Sequence, residues 1–217
     1  MYNFIYEKVN TIEEVEKLLN ENEETKILAG GQTLIPTMKQ RLASPSTLID
    51  ISGIDELNFI NDNENSVTIG STITHHEVSS SDIIINRIPS LASLAEGIGD
   101  PHVRNMGTIG GSIANNDPTA DYPTACLSLN AKIKTNNREI NAEDFFIGLF
   151  ETALEENEIV LSIEFNIPKK SSYMKFPNPA SRYAMAGVYV SVFDDAVNVA
   201  VTGASENGVF KWTEMEE

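Results

Sequence analysis

Two glycine-paired segments offer this chain a chemistry toward ligands: Ala29-Gly-Gly-Gln-Thr-Leu34 and Gly107-Thr-Ile-Gly-Gly-Ser-Ile-Ala114. Glycine lets a backbone turn tightly and approach a ligand, and the amides of such a turn, or of a helix starting after it, can donate to phosphate oxygens. The second segment sets two hydroxyl residues, Thr108 and Ser112, around its glycine pair in a stretch with almost no charge. Converging on one ligand, the two turns would neutralise the two phosphates of a dinucleotide with amide donors in place of lysines. Taken singly, each reads more readily as a plain turn. Neither contains a Gly-x-Gly-x-x-Gly opening a helix or a loop ending in Gly-Lys-Ser/Thr, which excludes the Rossmann and P-loop readings.

Other side chains carry weaker signals. Asp121, just ahead of Pro123, reads as a helix N-cap or as a ribose contact. Lys175 is an isolated positive charge between Tyr173 and Phe176, either solvated or set against a flavin or phosphate. His75, His76 and His102 are too few and too scattered for a metal site and read as surface or capping residues. The lone Cys126, among Ala125, Leu127 and Leu129, reads as a core residue. One cysteine excludes a disulfide within the chain, a zinc knuckle and a four-cysteine iron–sulfur centre built by this chain alone.

These segments need a scaffold, and 217 residues with 41% hydrophobic content can bury a real core. Lys+Arg 15 against Asp+Glu 32 leaves a net charge of −17, so nucleic acid is a poor partner. The N-terminal residues lack the basic patch and apolar run of a secretory signal. The best apolar stretch, Ala184 to Phe193, is far shorter than the roughly 20 residues of a membrane helix. A soluble, cytoplasmic protein without a transmembrane segment is expected.

Thr11-Ile-Glu-Glu14 is a capping-box pattern that opens a helix with Ile12, Val15, Leu18 and Leu19 on its core face. Ile27 to Ala29 then predicts a strand running into the first glycine turn and a helix through Met38, with Leu48 to Ile51 a second strand of the same small sheet. Leu57 to Ile60 with Val67 to Ile69, and Lys132 to Thr135 with Arg138 to Ile140, predict hairpins. Helices are predicted after the capping box Thr74-His-His-Glu77 and over Ser90 to Glu96. Ile159, Leu161, Ile163 and Phe165 alternate as the core face of one strand, which Pro168 ends. Pro177 and Pro179 mark a candidate boundary before a last hairpin, Gly187 to Phe193 with Val197 to Thr202. A further capping box at Thr213 is followed by almost no chain, so the last module reads as cut short, with Val190, Val192, Val199 and Val201 partly uncovered. Strands interspersed with short helices, without a repeated βαβ rhythm, argue for α+β.

Ala29 to Lys39, Ile98 to Ala114, Asp117-Pro-Thr-Ala-Asp121 and Lys175 to Tyr183 together resemble the FAD-binding medium subunit of the molybdenum hydroxylases, the family of aerobic carbon monoxide dehydrogenase and xanthine dehydrogenase. The resemblance implies a two-lobed FAD-binding domain of the vanillyl-alcohol-oxidase (PCMH) type. Residues 1–55 would form its first lobe and 56–170 its second, with an incomplete α+β module of the CO dehydrogenase flavoprotein type over 175–217. It also implies two partners and an external electron acceptor. A large molybdenum-cofactor subunit would oxidise the substrate, and a small subunit with [2Fe–2S] clusters would relay electrons to the FAD of this oxidoreductase subunit.

Carried over by position, Ala29, Gly30, Gly31, Gln32, Thr33 and Leu34, with Thr108, Ile109, Gly110, Gly111 and Ser112, would hold the FAD pyrophosphate. Asp121 would touch the adenosine end, Val160 the cofactor, and Lys175 the flavin side. No residue is assigned to catalysis or to a metal. Ser112 stands where many family members have Asn. With no Cys or His in either loop, the FAD is expected to be non-covalent. A truncated non-catalytic remnant and a free-standing flavoprotein oxidase are the alternative readings.

Overall fold

The computed structural model describes residues 1–21 and 24–216. The first lobe contains β1 (Ile5–Lys8), α1 (Ile12–Glu21), β2 (Thr25–Leu28), α2 (Leu34–Lys39) and β3 (Thr47–Asp50). Its three strands form a parallel sheet with β3 in the centre. The predicted capping box opens α1: the Thr11 hydroxyl accepts from the Glu14 amide, while the Glu14 carboxylate accepts from the amide of Asn10. Val15 and Leu19 turn inward onto Val9, Ile49 and Ile51.

The second lobe runs through β4 (Ile60–Asp62), β5 (Ser66–Gly70), α3 (His75–Ser80), α4 (Asp82–Arg87), α5 (Pro89–Glu96), α6 (Pro101–Arg104), α7 (Ile109–Asn115) and α8 (Tyr122–Ser128). It continues with β6 (Lys132–Thr135), β7 (Glu139–Asn141), α9 (Ala142–Phe145), β8 (Phe146–Gly148), β9 (Glu151–Thr152) and β10 (Val160–Asn166). The sheet order β4-β5-β10-β6-β7 keeps both predicted hairpins and inserts β10 between them. In the first hairpin Leu57 belongs to a 3-10 turn and pairing begins only at Ile60.

One strand departs from its predicted pattern in a useful way. A bulge between Val160 and Ser162 shifts the register of β10 against β6. Ile159 and Leu161 therefore pack into the core of the first lobe, while Ile163 and Phe165 pack into that of the second. A bulge adds one residue on one strand and so exchanges faces, which a strict period of two cannot show.

The last strands are β11 (Lys170–Pro177), β12 (Ala184–Val192), β13 (Val197–Thr202) and β14 (Phe210–Lys211), an antiparallel sheet in that order. This sheet starts at Lys170, ahead of the expected 175, and Pro177 lies within it rather than at a boundary. Pro177 ends an edge strand, where its missing N–H leaves no ladder bond unmade. Tyr189, Ser191, Asn198, Ala200 and Thr202 face inward, with Ser128 of α8 bonding Ser191 and Asn198. The capping box at Thr213 does not open an α-helix: Thr213–Met215 is a single 3-10 turn with Trp212 at its N-cap. That turn folds back on β13, where the Trp212 amide donates to Val199 O and the Val199 amide donates to Glu216 Oε1. Val199 and Val201 are buried, contrary to expectation, and Val190 and Val192 are half-buried. The exposed large apolar groups on this module are instead Met174, Phe176, Tyr183, Met185, Phe210, Trp212 and Met215.

Candidate functional site

The turn after β2 meets the start of α7 across a cleft of about 620 Å³. Twelve of the residues proposed from sequence line it: Ala29 to Leu34, then Thr108, Gly110, Gly111, Ser112, Asp121 and Val160. Two do not. Ile109 is a core residue, and Lys175 points elsewhere.

The first segment is built to donate. Gly31 takes a left-handed φ of 68°, which glycine adopts without strain, and so turns the chain from β2 into α2. The amides of Gly30, Gly31, Gln32, Thr33 and Leu34 have no acceptor within the protein among the described residues. Five consecutive free N–H groups beside a cleft form a nest for oxyanions. Gly30 serves a second purpose, since a Cβ there would lie 2.7 Å from Gly107 Cα and would overlap the Met106 carbonyl.

The second segment is built differently. Thr108 is extended, and its hydroxyl accepts from Gly111 N at 3.1 Å as the N-cap of α7. Ile109 N donates to Ile73 O, Gly110 N to Ser71 O and Ser112 N to Thr108 O. The amides of its first turn are therefore committed within the fold. What this segment presents to the cleft is bare glycine surface with the hydroxyls of Thr108 and Ser112.

Asp121 holds the N-cap position of α8 without capping it. Its carboxylate accepts instead from the Tyr173 hydroxyl and from Lys175 Nζ, the latter at 3.1 Å, and Lys175 also donates to Gly97 O at 3.0 Å. With side chains 5% and 9% exposed, the pair ties α8 to β11. Burial raises the Asp121 carboxyl above the usual carboxylate range, against the pull of Lys175. The Lys175 charge is thus spent on Asp121, neither solvated nor free for a cofactor.

Sequence reasoning missed the part of the cleft wall contributed by Ser71 and His75. His75 is buried, not on the surface, and its ring leans on Tyr122 with centroids 5.3 Å apart. A histidine one place after an N-cap gives no sign of this in sequence. Tyr183 and Arg182, from the β11–β12 connection, close the cleft on another side. No group of three or more His, Cys, Asp or Glu side chains suited to a metal occurs among the described residues. Cys126 is a core residue whose thiol burial pushes well up.

Residues 2–170 match the family described as the FAD binding domain in molybdopterin dehydrogenase. The chain belongs to this family. It is 38% identical over 195 residues to the glyceraldehyde dehydrogenase medium chain of Sulfolobus acidocaldarius, covering 87% of this chain and 69% of the relative. It is 36% identical over 197 residues to the carbon monoxide dehydrogenase medium chain of Hydrogenophaga pseudoflava, covering 86% and 68%. Among solved structures, a carbon monoxide dehydrogenase from that organism superposes with a TM-score of 0.91 at 34% identity, over 97% of this chain and 77% of the other. The protein is therefore an FAD-binding oxidoreductase subunit of the molybdenum hydroxylase family, with an α+β fold of the PCMH type. The cleft fits the cofactor in size and chemistry: it offers a run of uncommitted amides on one wall and neutral hydroxyls on the other. No helix is long and apolar enough to cross a membrane among the described residues.

Proposed function

We propose that this chain binds FAD in the cleft between its lobes and relays electrons through it. They would arrive from the [2Fe–2S] clusters of a small partner subunit, after substrate oxidation in a large molybdenum-cofactor subunit, and leave to an external acceptor. Residues 1–55 and 56–170 are the two FAD lobes in this reading, with the strands from Lys170 onward as the further module. A single buried cysteine suits a reducing cytoplasm.

The observation that carries the reading is the row of free amides from Gly30 to Leu34. A diphosphate needs several donors, and in a chain of net charge −17 backbone amides supply them without competing for a carboxylate. FAD, when bound, supplies the redox chemistry. The chain's own residues bind and orient it. Gly31 aims the amide row, Thr108 and Ser112 add hydroxyl contacts, and Val160 gives an apolar surface at the bulge of β10. Asp121 borders the adenosine side, its carboxylate held in place by Tyr173 and Lys175.

The test has two stages. The purified chain should be yellow, with one FAD per chain by absorbance. Mixed with iron–sulfur and molybdenum subunits, its flavin should bleach on substrate addition only when the iron–sulfur subunit is present. A colourless protein that takes up no FAD would overturn the first stage. Flavin reduced by substrate with no partner present would favour an oxidase instead.

A further inference from the structure

Buried polar atoms without partners are rare in native structures, and a few of those found here lie on the cleft wall. Ser71 Oγ and His75 Nδ1 have no hydrogen-bond partner among the described residues, and both side chains line the cleft. They sit together on the segment leading from β5 into α3. Each presses on the second glycine segment. A Cβ on Gly110 would lie 2.7 Å from Ser71 O, and one on Gly107 would lie 2.7 Å from His75 Nε2. The main chain fixes both positions, since Gly110 N donates to Ser71 O at 3.0 Å and His75 N donates to Gly107 O at 2.9 Å. Their side chains are thus placed with care and given nothing to bind.

The state of His75 sharpens the point. Burial pushes its imidazole down to about 4, with the Arg104 charge acting in the same direction, so the ring is neutral at neutral pH. A sealed nitrogen costs less as an unpaired acceptor than as an unpaired donor, so Nδ1 keeps its lone pair unpaired and the proton belongs on Nε2, the edge beside Gly107 and, unlike Nδ1, not sealed in the wall. His75 is then an uncharged donor at the second glycine segment.

We infer that Ser71 and His75 bind FAD, each donating a hydrogen bond to an oxygen of the dinucleotide beside Gly107 to Gly110. This rests on FAD occupying the cleft as proposed above. It gives the second segment the donors that its own committed amides lack. It also explains two glycines, since Gly107 and Gly110 are the points where a larger residue would push these side chains out of place.

The experiment titrates FAD into the full chain stripped of cofactor, followed by flavin fluorescence, with melting of the cofactor-free protein measured in parallel. His75→Leu and Ser71→Ala should each weaken FAD binding roughly tenfold. His75→Gln, whose amide nitrogen reaches the Nε2 position, should remain within about threefold of the parent. The cofactor-free melting temperature should hold or rise in His75→Leu, because no hydrogen bond to the protein is lost. Unchanged FAD affinity in both His75→Leu and Ser71→Ala would overturn the inference. So would equal losses in His75→Leu and His75→Gln with a fall in melting temperature, which would make His75 a packing residue. A parent chain that binds no FAD would instead overturn the cleft assignment itself, before any variant is compared.

Discussion

Gly30 and Gly107 pack directly against each other, one from each glycine segment, at a distance that admits no side chain on the first. This contact brings the amide row of one lobe to the helix start of the other, so the width of the cleft depends on it. Gly30→Asp should therefore lose FAD and also destabilise the fold, by about 1–3 kcal/mol for the overpacking alone. Gly111→Ala is the contrast: its Cβ would press only on the Thr108 hydroxyl at 2.9 Å and lie 3.9 Å from the Ala29 Cβ. Disturbing that capping hydroxyl costs about 1 kcal/mol, which the better helix propensity of alanine offsets, so the melting temperature should stay near the parent's while FAD binding weakens. Thermal melts alongside FAD content separate the two effects, and a stable Gly30→Asp protein with full FAD would refute the packing argument.

The Asp121–Lys175 pair predicts a strong asymmetry. Lys175→Met strands a buried carboxylate and should cost about 3–5 kcal/mol in stability. Adding Asp121→Asn should recover much of that loss, because the uncompensated charge is gone. Urea unfolding of the single and double variants measures it; additive losses would show that the pair is not coupled.

Glu158 predicts the behaviour in acid. Its buried carboxylate accepts from Arg138 Nε and Nη2, both at 3.0 Å, from Thr135 Oγ1 at 2.6 Å and from the Glu155 amide at 3.0 Å. These partners, Arg138 foremost, hold it at about 2 against an ordinary 4.5. A depressed carboxylate contributes stability above its unfolded value and loses it as pH falls toward the folded one. Stability should drop by roughly 2 kcal/mol between about pH 4.5 and 2 from this group, allowing for solvent screening of the half-exposed Arg138. Glu158→Gln should remove that part of the slope while leaving the shape of the profile above pH 5, about half a unit beyond the ordinary carboxylate value, as it is in the parent.

Acid precipitation should release the yellow colour into the supernatant, since neither glycine segment offers a cysteine or histidine for attachment. Colour retained in the pellet would direct attention to His75, which lines the cleft, ahead of His102, which is exposed.

The C-terminal sheet predicts self-association. Met174 and Phe176, on the edge strand β11, are 73% and 69% exposed, and Phe210, Trp212 and Met215 are exposed at the opposite edge of the same sheet. Light scattering should show mass rising with concentration, and Met174→Ser with Phe176→Ser should reduce it. Proteases should cut first in the exposed turn from Pro177 to Ser181, where the Asn178 side chain accepts from the amides of Ala180 and Ser181. A concentration-independent monomer that resists cleavage there would refute this reading.

The glycine segments were legible because few residues fit such turns, and the hairpin at Asn136-Asn137 because its local chemistry specifies it. Less was legible where partners lie far apart along the chain. A separation of 54 positions between Asp121 and Lys175 conceals an ion pair that consumes a charge read as free. The fate of amides was equally invisible: both segments look alike as sequence, yet one leaves its amides free beside the cleft and the other commits them within the fold. Alternation misled at Val160, since one inserted residue sends Leu161 and Ile163 to different cores.

That bulged strand also sets an order of events during synthesis. Ile159 and Leu161 complete the hydrophobic interior around Val15, Ile49 and Leu57, so roughly a hundred residues must leave the ribosome after the first lobe before it can close. Until then the nascent lobe exposes an open apolar face, and a stalled or prematurely released chain would offer that face to chaperones and proteases.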